Sequence, residues 1–290
     1  QLFSGIAPGP VGPIGMQIGE PKHPAPPFIA DAILRGMSGL SSYPLTAGTP
    51  ALRIAIRDWI SRRYGIPALD ADLEVLPVNG SREALFAIAQ VVIDRGIGNP
   101  LVICPNPFYQ IYEGATLLAG ARPYFVNCTE DRGFAPDFRD VPAAVWSNTQ
   151  LAYVCSPANP SGHIMSLEEW QTLFELSSKF GFVIASDECY SEVYFDEGRA
   201  PLGALAAAHA LNLQGYERLI VFSSLSKRSN LPGMRSGYVA GDRNLIRKFL
   251  LYRTYHGSAM SPTFQIASTA AWSDEAHVIE NRRQYAEKFN

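Results

Sequence analysis

From Glu74 onward the chain alternates short apolar runs with longer amphipathic stretches. The apolar runs are Glu74–Val78, Leu101–Cys104, Arg122–Val126, Gln150–Cys155, Phe182–Ser186, Leu219–Ser223 and Ser236–Ala240. Between several of them lie helical patterns, at Arg82–Ile93, Tyr109–Ala119 and Leu167–Phe180. Such alternation predicts a mainly parallel sheet of seven strands with helices on both faces. Runs such as LVIC and FVIAS carry no polar alternation, as expected of strands covered on both sides. Upstream, Ala30–Met37 and Pro50–Tyr64 read as helices. In the second, Leu52, Ala55, Ile56, Trp59 and Ile60 recur at helical spacing, Pro50 suits the first turn and Thr49 its cap. Downstream, Leu245–Tyr255 and Pro262–Trp272 read as helices, and the last residues, Asn281–Phe289, form a polar helical run without a stop signal. The segment to Pro27 is rich in Gly and Pro and reads as an extended arm. The expected organisation is an arm contributing to a small domain (1–42), a large domain (43–260) and the start of a helix leading back into the small domain (261–290). The chain is expected to continue in both directions.

A 47% hydrophobic content over 290 residues can build a substantial core, which excludes global disorder. The net charge of −3 lacks the basic excess of a nucleic-acid binder, so a small molecule is the expected partner. The four cysteines, at 104, 128, 155 and 189, form no CxxC pair and read as reduced, buried thiols of a cytoplasmic protein; no metal site is expected. Gln1–Pro13 lacks the basic start and apolar segment of a secretory signal, and no apolar stretch reaches the length of a membrane span.

Ligands on parallel sheets collect at the carboxyl ends of strands, and four unusual segments fall there. Val221–Lys227 ends an apolar strand on Ser223-Ser224-Leu225-Ser226-Lys227. Val183–Tyr190 places Asp187 at the end of another, with Tyr190 three residues on. Ser156-Pro157-Ala158-Asn159-Pro160-Ser161-Gly162 follows a third, and Asn79-Gly80-Ser81-Arg82 opens a helix. Taken singly these are a loop lysine, a helix cap, a turn and an N-cap. Together they supply what pyridoxal phosphate requires: an amine for its aldehyde, a carboxylate for its pyridine nitrogen, a phenol and an amide for its phenolic oxygen, and hydroxyls, an arginine and helix-start amides for its phosphate. The motifs GxGxxG after a strand, GxxxxGK[ST], HExxH and GxSxG are absent.

The ordered set Gly19-Glu20-Pro21, Tyr43, Gly48, Leu52-Arg53, Gly80-Ser81, Pro107-Phe108-Tyr109 with Tyr112, Asn159-Pro160-x-Gly162, Asp187-x-x-Tyr190, Ser224-x-Ser226-Lys227 and Arg235-x-Gly237 resembles the class I/II, fold type I pyridoxal-phosphate aminotransferases over nearly the whole chain. The resemblance implies Lys227 as the lysine bonded to the cofactor and the proton shuttle, Asp187 on the pyridine nitrogen, and Tyr190 and Asn159 on the phenolic oxygen. It places Ser224, Ser226, Arg235, Ser81 and Arg82 on the phosphate, and Tyr109 on the ring, with Phe108 as the other candidate. Tyr43 would reach the phosphate of a neighbouring subunit in a homodimer. Gly19, with Asn159, would lie against substrate. The arginine that takes the substrate α-carboxylate in this family has no counterpart within the chain.

Within the family, the phrases IGEPKHP, YPLTAGTPALR, LPVNGSREALFA, CPNPFYQIYEGA, SDECYSEVYFDE and SSLSKRSNLPGMRSGYVAGD resemble the bacterial succinyldiaminopimelate transaminases. That subgroup exchanges the amino group of glutamate with N-succinyl-2-amino-6-ketopimelate in lysine and diaminopimelate biosynthesis. Its dicarboxylic substrates call for extra cations, with Lys22, Arg82 and Arg228 as candidates; for each, a solvated or helix-end charge is the simpler expectation. A β-lyase shares the same core residues, so the core motifs leave that reaction open, as they do acetylornithine-, aspartate- and aromatic-type transamination. A regulator that keeps the fold would carry a DNA-binding domain ahead of Gly19, where the sequence is short and rich in Pro and Gly.

Overall fold

The structure, a computed structural model, describes residue 19 and residues 22–289. Most of the Gly/Pro-rich arm, including Glu20 and Pro21, lies outside the described residues. All seven expected strands form: β1 (Val75–Val78), β2 (Leu101–Asn106), β3 (Arg122–Asn127), β4 (Thr149–Cys155), β5 (Val183–Asp187), β6 (Leu219–Ser224) and β7 (Gly237–Gly241). They build one sheet in the order β1-β7-β6-β5-β4-β2-β3. Every pairing is parallel except the two made by β7, which runs antiparallel to both β1 and β6. The carboxyl ends of β1, β2, β4, β5 and β6 therefore share one edge of the sheet, and β7 begins there.

Helices cover both faces, as the unbroken apolar runs require. On one side α3 (Ser81–Val92), α4 (Ile111–Leu118) and α9 (Arg243–His256) pack against Val183, Ala185, Ile220 and Phe222. On the other, α1 (Phe28–Arg35), α2 (Pro50–Tyr64), α6 (Leu167–Phe180), α7 (Ala204–Ala210) and α10 (Pro262–Ser273) bury Ile184, Leu219 and Val221. Successive strand residues thus alternate between two cores. This alternation directs Asp187 and Ser224 to the α3–α4 side and Ser186 and Ser223 to the opposite side.

Local signals set the helix ends. The Thr49 hydroxyl accepts from the Leu52 amide, Pro50 occupies the first turn, and Gly65 ends α2 at φ 62°. Ser166 and Glu169 form a reciprocal capping box at the start of α6. The short α5 (Ala143–Trp146), α7 and α8 (Leu225–Arg228) were not expected from periodicity, and α11 (Ala276–Phe289) begins earlier than its polar run suggested. Among the described residues no helix is long and apolar enough to cross a membrane.

Candidate active site

Adjacent strands bring the strand-end motifs side by side. Asp187 is in register with Cys155 of β4 and with Phe222 of β6, and Ser224 with Gly237 of β7. Asp187 is buried at 4% exposure. Its carboxylate accepts from the Tyr112 hydroxyl at 2.8 Å and from the Cys189 amide at 3.2 Å. Both donors are neutral, and no cation among the described residues forms an ion pair with it. Burial raises its pKa, only partly opposed by hydrogen bonds from Cys189 and Tyr112. A cationic nitrogen brought against this carboxylate would remove that cost.

Ser224 is buried and its hydroxyl accepts from the Ser226 amide at 3.2 Å, opening α8 so that Lys227 follows in the first turn. The Lys227 amino group donates to the carbonyl of Gly19. Gly19 thus meets the lysine amine.

No side chain caps the N-terminus of α3, contrary to the simple N-cap reading of Asn79-Gly80-Ser81-Arg82. Its first amides remain directed at the strand-end edge, a geometry that suits a phosphate. Gly80 sits at φ 85°, and a Cβ there would fall 2.3 Å from a terminal nitrogen of Arg235. The exposed Arg235 guanidinium thus lies beside the start of α3, held by a bond from its other terminal nitrogen to the Pro232 carbonyl at 2.8 Å. Gly80→Ala combines the strain of a positive-φ extended backbone open essentially to glycine, about 1–3 kcal/mol, with displacement of Arg235. The strain is expected to lower stability, and the displacement of Arg235 to weaken pyridoxal phosphate binding roughly tenfold, about 1.4 kcal/mol, as checked by thermal melting and cofactor titration.

The aromatic residues separate into two roles. Phe108 stacks on Phe125 of β3, with centroids 5.1 Å apart. Tyr109 stands edge-on to Tyr112, and its hydroxyl accepts from Arg82 Nε at 2.5 Å. Of the two candidates, Tyr109 is the one tied to α3 and to the partner of Asp187. Asn159 lines a cavity with Phe108, Tyr112, Cys155, His163 and Met165. Tyr190 is half-buried, and burial raises its phenol pKa, so the hydroxyl keeps its proton. Tyr43 is fully exposed, and Lys22 is exposed.

Arg228 closes α8, as the helix-end reading expected, but it is not a surface charge. It is neither solvated nor directed at the strand-end edge. Its guanidinium is buried between Trp59 and Trp272, 5.1 and 4.8 Å from their centroids, and bonds the Ala271 carbonyl and Glu275. Sequence reasoning gave Tyr112 no role and overlooked Cys189, whose thiol lies 2.8 Å from the Ser81 hydroxyl. Tyr112 stood in the motif three residues after Tyr109, which was the available signal. Burial raises the Cys155 and Cys189 thiols, so neither is poised as a thiolate nucleophile.

A family model for class I and II aminotransferases matches residues 11–290. The chain belongs to this family. Its members use pyridoxal phosphate, and the uncompensated Asp187, the uncapped α3 and the Gly80–Arg235 cradle fit that group. The chain is 32% identical over 260 residues to the LL-diaminopimelate aminotransferase of Desulforudis audaxviator, covering 89% of this chain but only 64% of that protein. It is 34% identical to the 4-dedimethylamino-4-oxo-anhydrotetracycline transaminase OxyQ of Streptomyces rimosus, covering 96% and 71% of the two chains. The crystal structure of an aminotransferase from Neisseria meningitidis superimposes with a TM-score of 0.95 at 55% identity, covering 99% of this chain and 72% of that one.

Proposed function

We propose that the full-length protein is a pyridoxal-phosphate aminotransferase that exchanges amino groups between glutamate and a keto acid of the diaminopimelate class. The observation that carries this reading is the pairing of a buried carboxylate lacking a cation, Asp187, with an amine at the end of the neighbouring strand, Lys227. When bound, pyridoxal phosphate supplies an aldehyde carbon that exchanges amines and a ring that accepts an electron pair from the substrate Cα. Asp187 would hold the ring nitrogen protonated, with its carboxylate fixed by Tyr112. Tyr190 and Asn159 would supply hydrogen-bond donors to the phenolic oxygen. Ser81, Arg82, Ser224, Ser226 and Arg235 would hold the phosphate together with the α3 amides, and Tyr109 would pack on the ring. Lys227 would be the base that takes the substrate Cα proton and the acid that gives it back. Tyr43, fully exposed in one chain, would complete the phosphate site of a second copy in a homodimer.

For the amino acceptor we propose N-succinyl-2-amino-6-ketopimelate, supported by the subgroup phrases around Lys227, Asp187 and Gly80. A second reading, unsuccinylated LL-diaminopimelate chemistry, is favoured by the names of relatives at 30–32% identity. Half-reaction spectroscopy on the full-length protein separates them. Glutamate should convert the bound cofactor to its amine form, as should N-succinyl-LL-diaminopimelate. Conversion by LL-diaminopimelate but not by its succinylated form would select the second reading, and pyruvate with ammonia from a cysteine conjugate would point to a β-lyase. No conversion by any amino acid would defeat the proposal.

A further inference from the structure

We infer that Asn281 of α11 is a positioning residue for Lys227, coupling the lysine-bearing turn to the arm that meets it; this rests on the reading of Lys227 as the reactive amine. Asn281 is 4% exposed and uses its whole amide. Its nitrogen donates to two main-chain carbonyls, Lys227 at 2.8 Å and Arg228 at 3.0 Å. Both of its hydrogens are then committed, so Oδ1, 2.5 Å from His23 Nε2, accepts. This fixes the proton of His23 on Nε2. In the neutral ring Nδ1 is therefore the acceptor for the Lys288 ammonium at 3.1 Å. A directional chain runs from Lys288 through His23 and Asn281 to the carbonyl of the catalytic lysine.

The arm is held by the same turn from the other side. Asn230 donates to the carbonyls of His23, at 2.5 Å, and Pro24, at 3.1 Å. Tyr285, one helical turn beyond Asn281, meets the His23 ring edge-on at 5.7 Å. Gly19, upstream on this arm, is the residue whose carbonyl receives the Lys227 amine. Main chain and side-chain tip of Lys227 are thus both tied to the arm, one through Asn281 and His23 and the other through Gly19.

α11 grips the remainder of the turn separately. His277 Nε2 lies 2.8 Å from the Ser229 hydroxyl and Nδ1 lies 2.6 Å from Asp274. Ser229 is fully buried, so this Ser–His–Asp arrangement is a brace rather than a nucleophile. Burial lowers the His277 pKa, which keeps its ring neutral as that geometry needs. With Ser229 held by His277 of α11, and the Arg228 side chain held by Ala271, Asp274 and Glu275 ahead of that helix, the contribution peculiar to Asn281 is the link to the arm.

The test uses the full-length protein, with and without pyridoxal phosphate. Asn281→Asp keeps shape and the acceptor toward His23 but turns an oxygen onto both carbonyls. It should lower kcat on the order of ten- to a hundredfold with KM within about threefold, as expected for a misplaced group that binds substrate unchanged. In the cofactor-free protein, amide hydrogen exchange should rise in residues 225–230 and 22–27 together. His23→Ala should raise exchange in the same two segments, and the double variant should be no worse than Asn281→Asp alone, because both cut one chain. Wild-type kcat and exchange in Asn281→Asp, or additive losses in the double variant, would overturn the coupling. If Asn281→Asp does not fold, unchanged exchange at 225–230 in His23→Ala overturns it instead. A wild-type protein that never takes up the cofactor would sink the parent reading, an outcome recognisable before any variant is made.

Discussion

Lys227→Ala is expected to bind pyridoxal phosphate without the absorbance band of a lysine-linked cofactor and to lose turnover on the order of 10⁴-fold, the upper range for removing a positioned acid–base group. Its placement makes the effect specific. Lys227 follows directly from the buried Ser224 hydroxyl in the short helix α8, and its amine is held against the Gly19 carbonyl. Of the five lysines it alone directly follows a strand end, after β6, the neighbour of the strand that ends on the buried Asp187. Added small amines should restore part of the activity, since they replace the lost proton carrier but not its tether. A Lys227→Ala protein with a wild-type spectrum and rate would remove the assignment.

Asp187→Asn is expected to act in opposite directions on rate and on stability. Transamination should fall on the order of 10²–10³-fold, because a neutral amide does not hold the ring nitrogen protonated. The cofactor-free protein, by contrast, should melt at a higher temperature than wild type at neutral pH. Burial raises the folded-state pKa of Asp187 above its unfolded value. A group shifted in this direction contributes stability below the unfolded pKa and loses it as pH rises through the folded one. The ionised carboxylate is therefore a burden at neutral pH, and asparagine removes it. Its amide can donate to Tyr112 Oη and accept from the Cys189 amide in the same positions. The advantage should fade as pH falls below the ordinary aspartate range, where wild type is protonated in both states. Thermal scans of both proteins across pH check this; a lower melting temperature for the variant at every pH would mean that the carboxylate is already compensated.

Much of this was legible in the sequence because local chemistry set it. Thr49, Pro50 and Gly65 frame α2, Ser166 and Gly181 frame α6, and unbroken apolar runs marked each strand. The strand-end residues could be read because a parallel sheet gathers them at one edge whatever the lengths of the helices between them. What could not be read depends on partners distant in the chain. Arg228 is the helix-end charge its position suggested, but Trp59 and Trp272 arrive from α2 and α10 to enclose it. Helix α7 is a run of alanine with few polar positions, so it carried no helical period. Tyr112 was visible as a motif residue, yet only the packing of α4 over β5 shows that its hydroxyl holds Asp187. Asn281 sat in a polar run that resembled a solvated helix face until α11 was laid against the lysine turn.

The central claim is that one amine, on α8, carries the cofactor. Borohydride reduction of the full-length protein after incubation with pyridoxal phosphate, followed by peptide mass mapping, tests it most directly. The expected result is a single pyridoxyl-phosphate adduct on Lys227, with Lys22, Lys179, Lys248 and Lys288 unmodified. An adduct distributed over those four, or none on Lys227, would contradict the account.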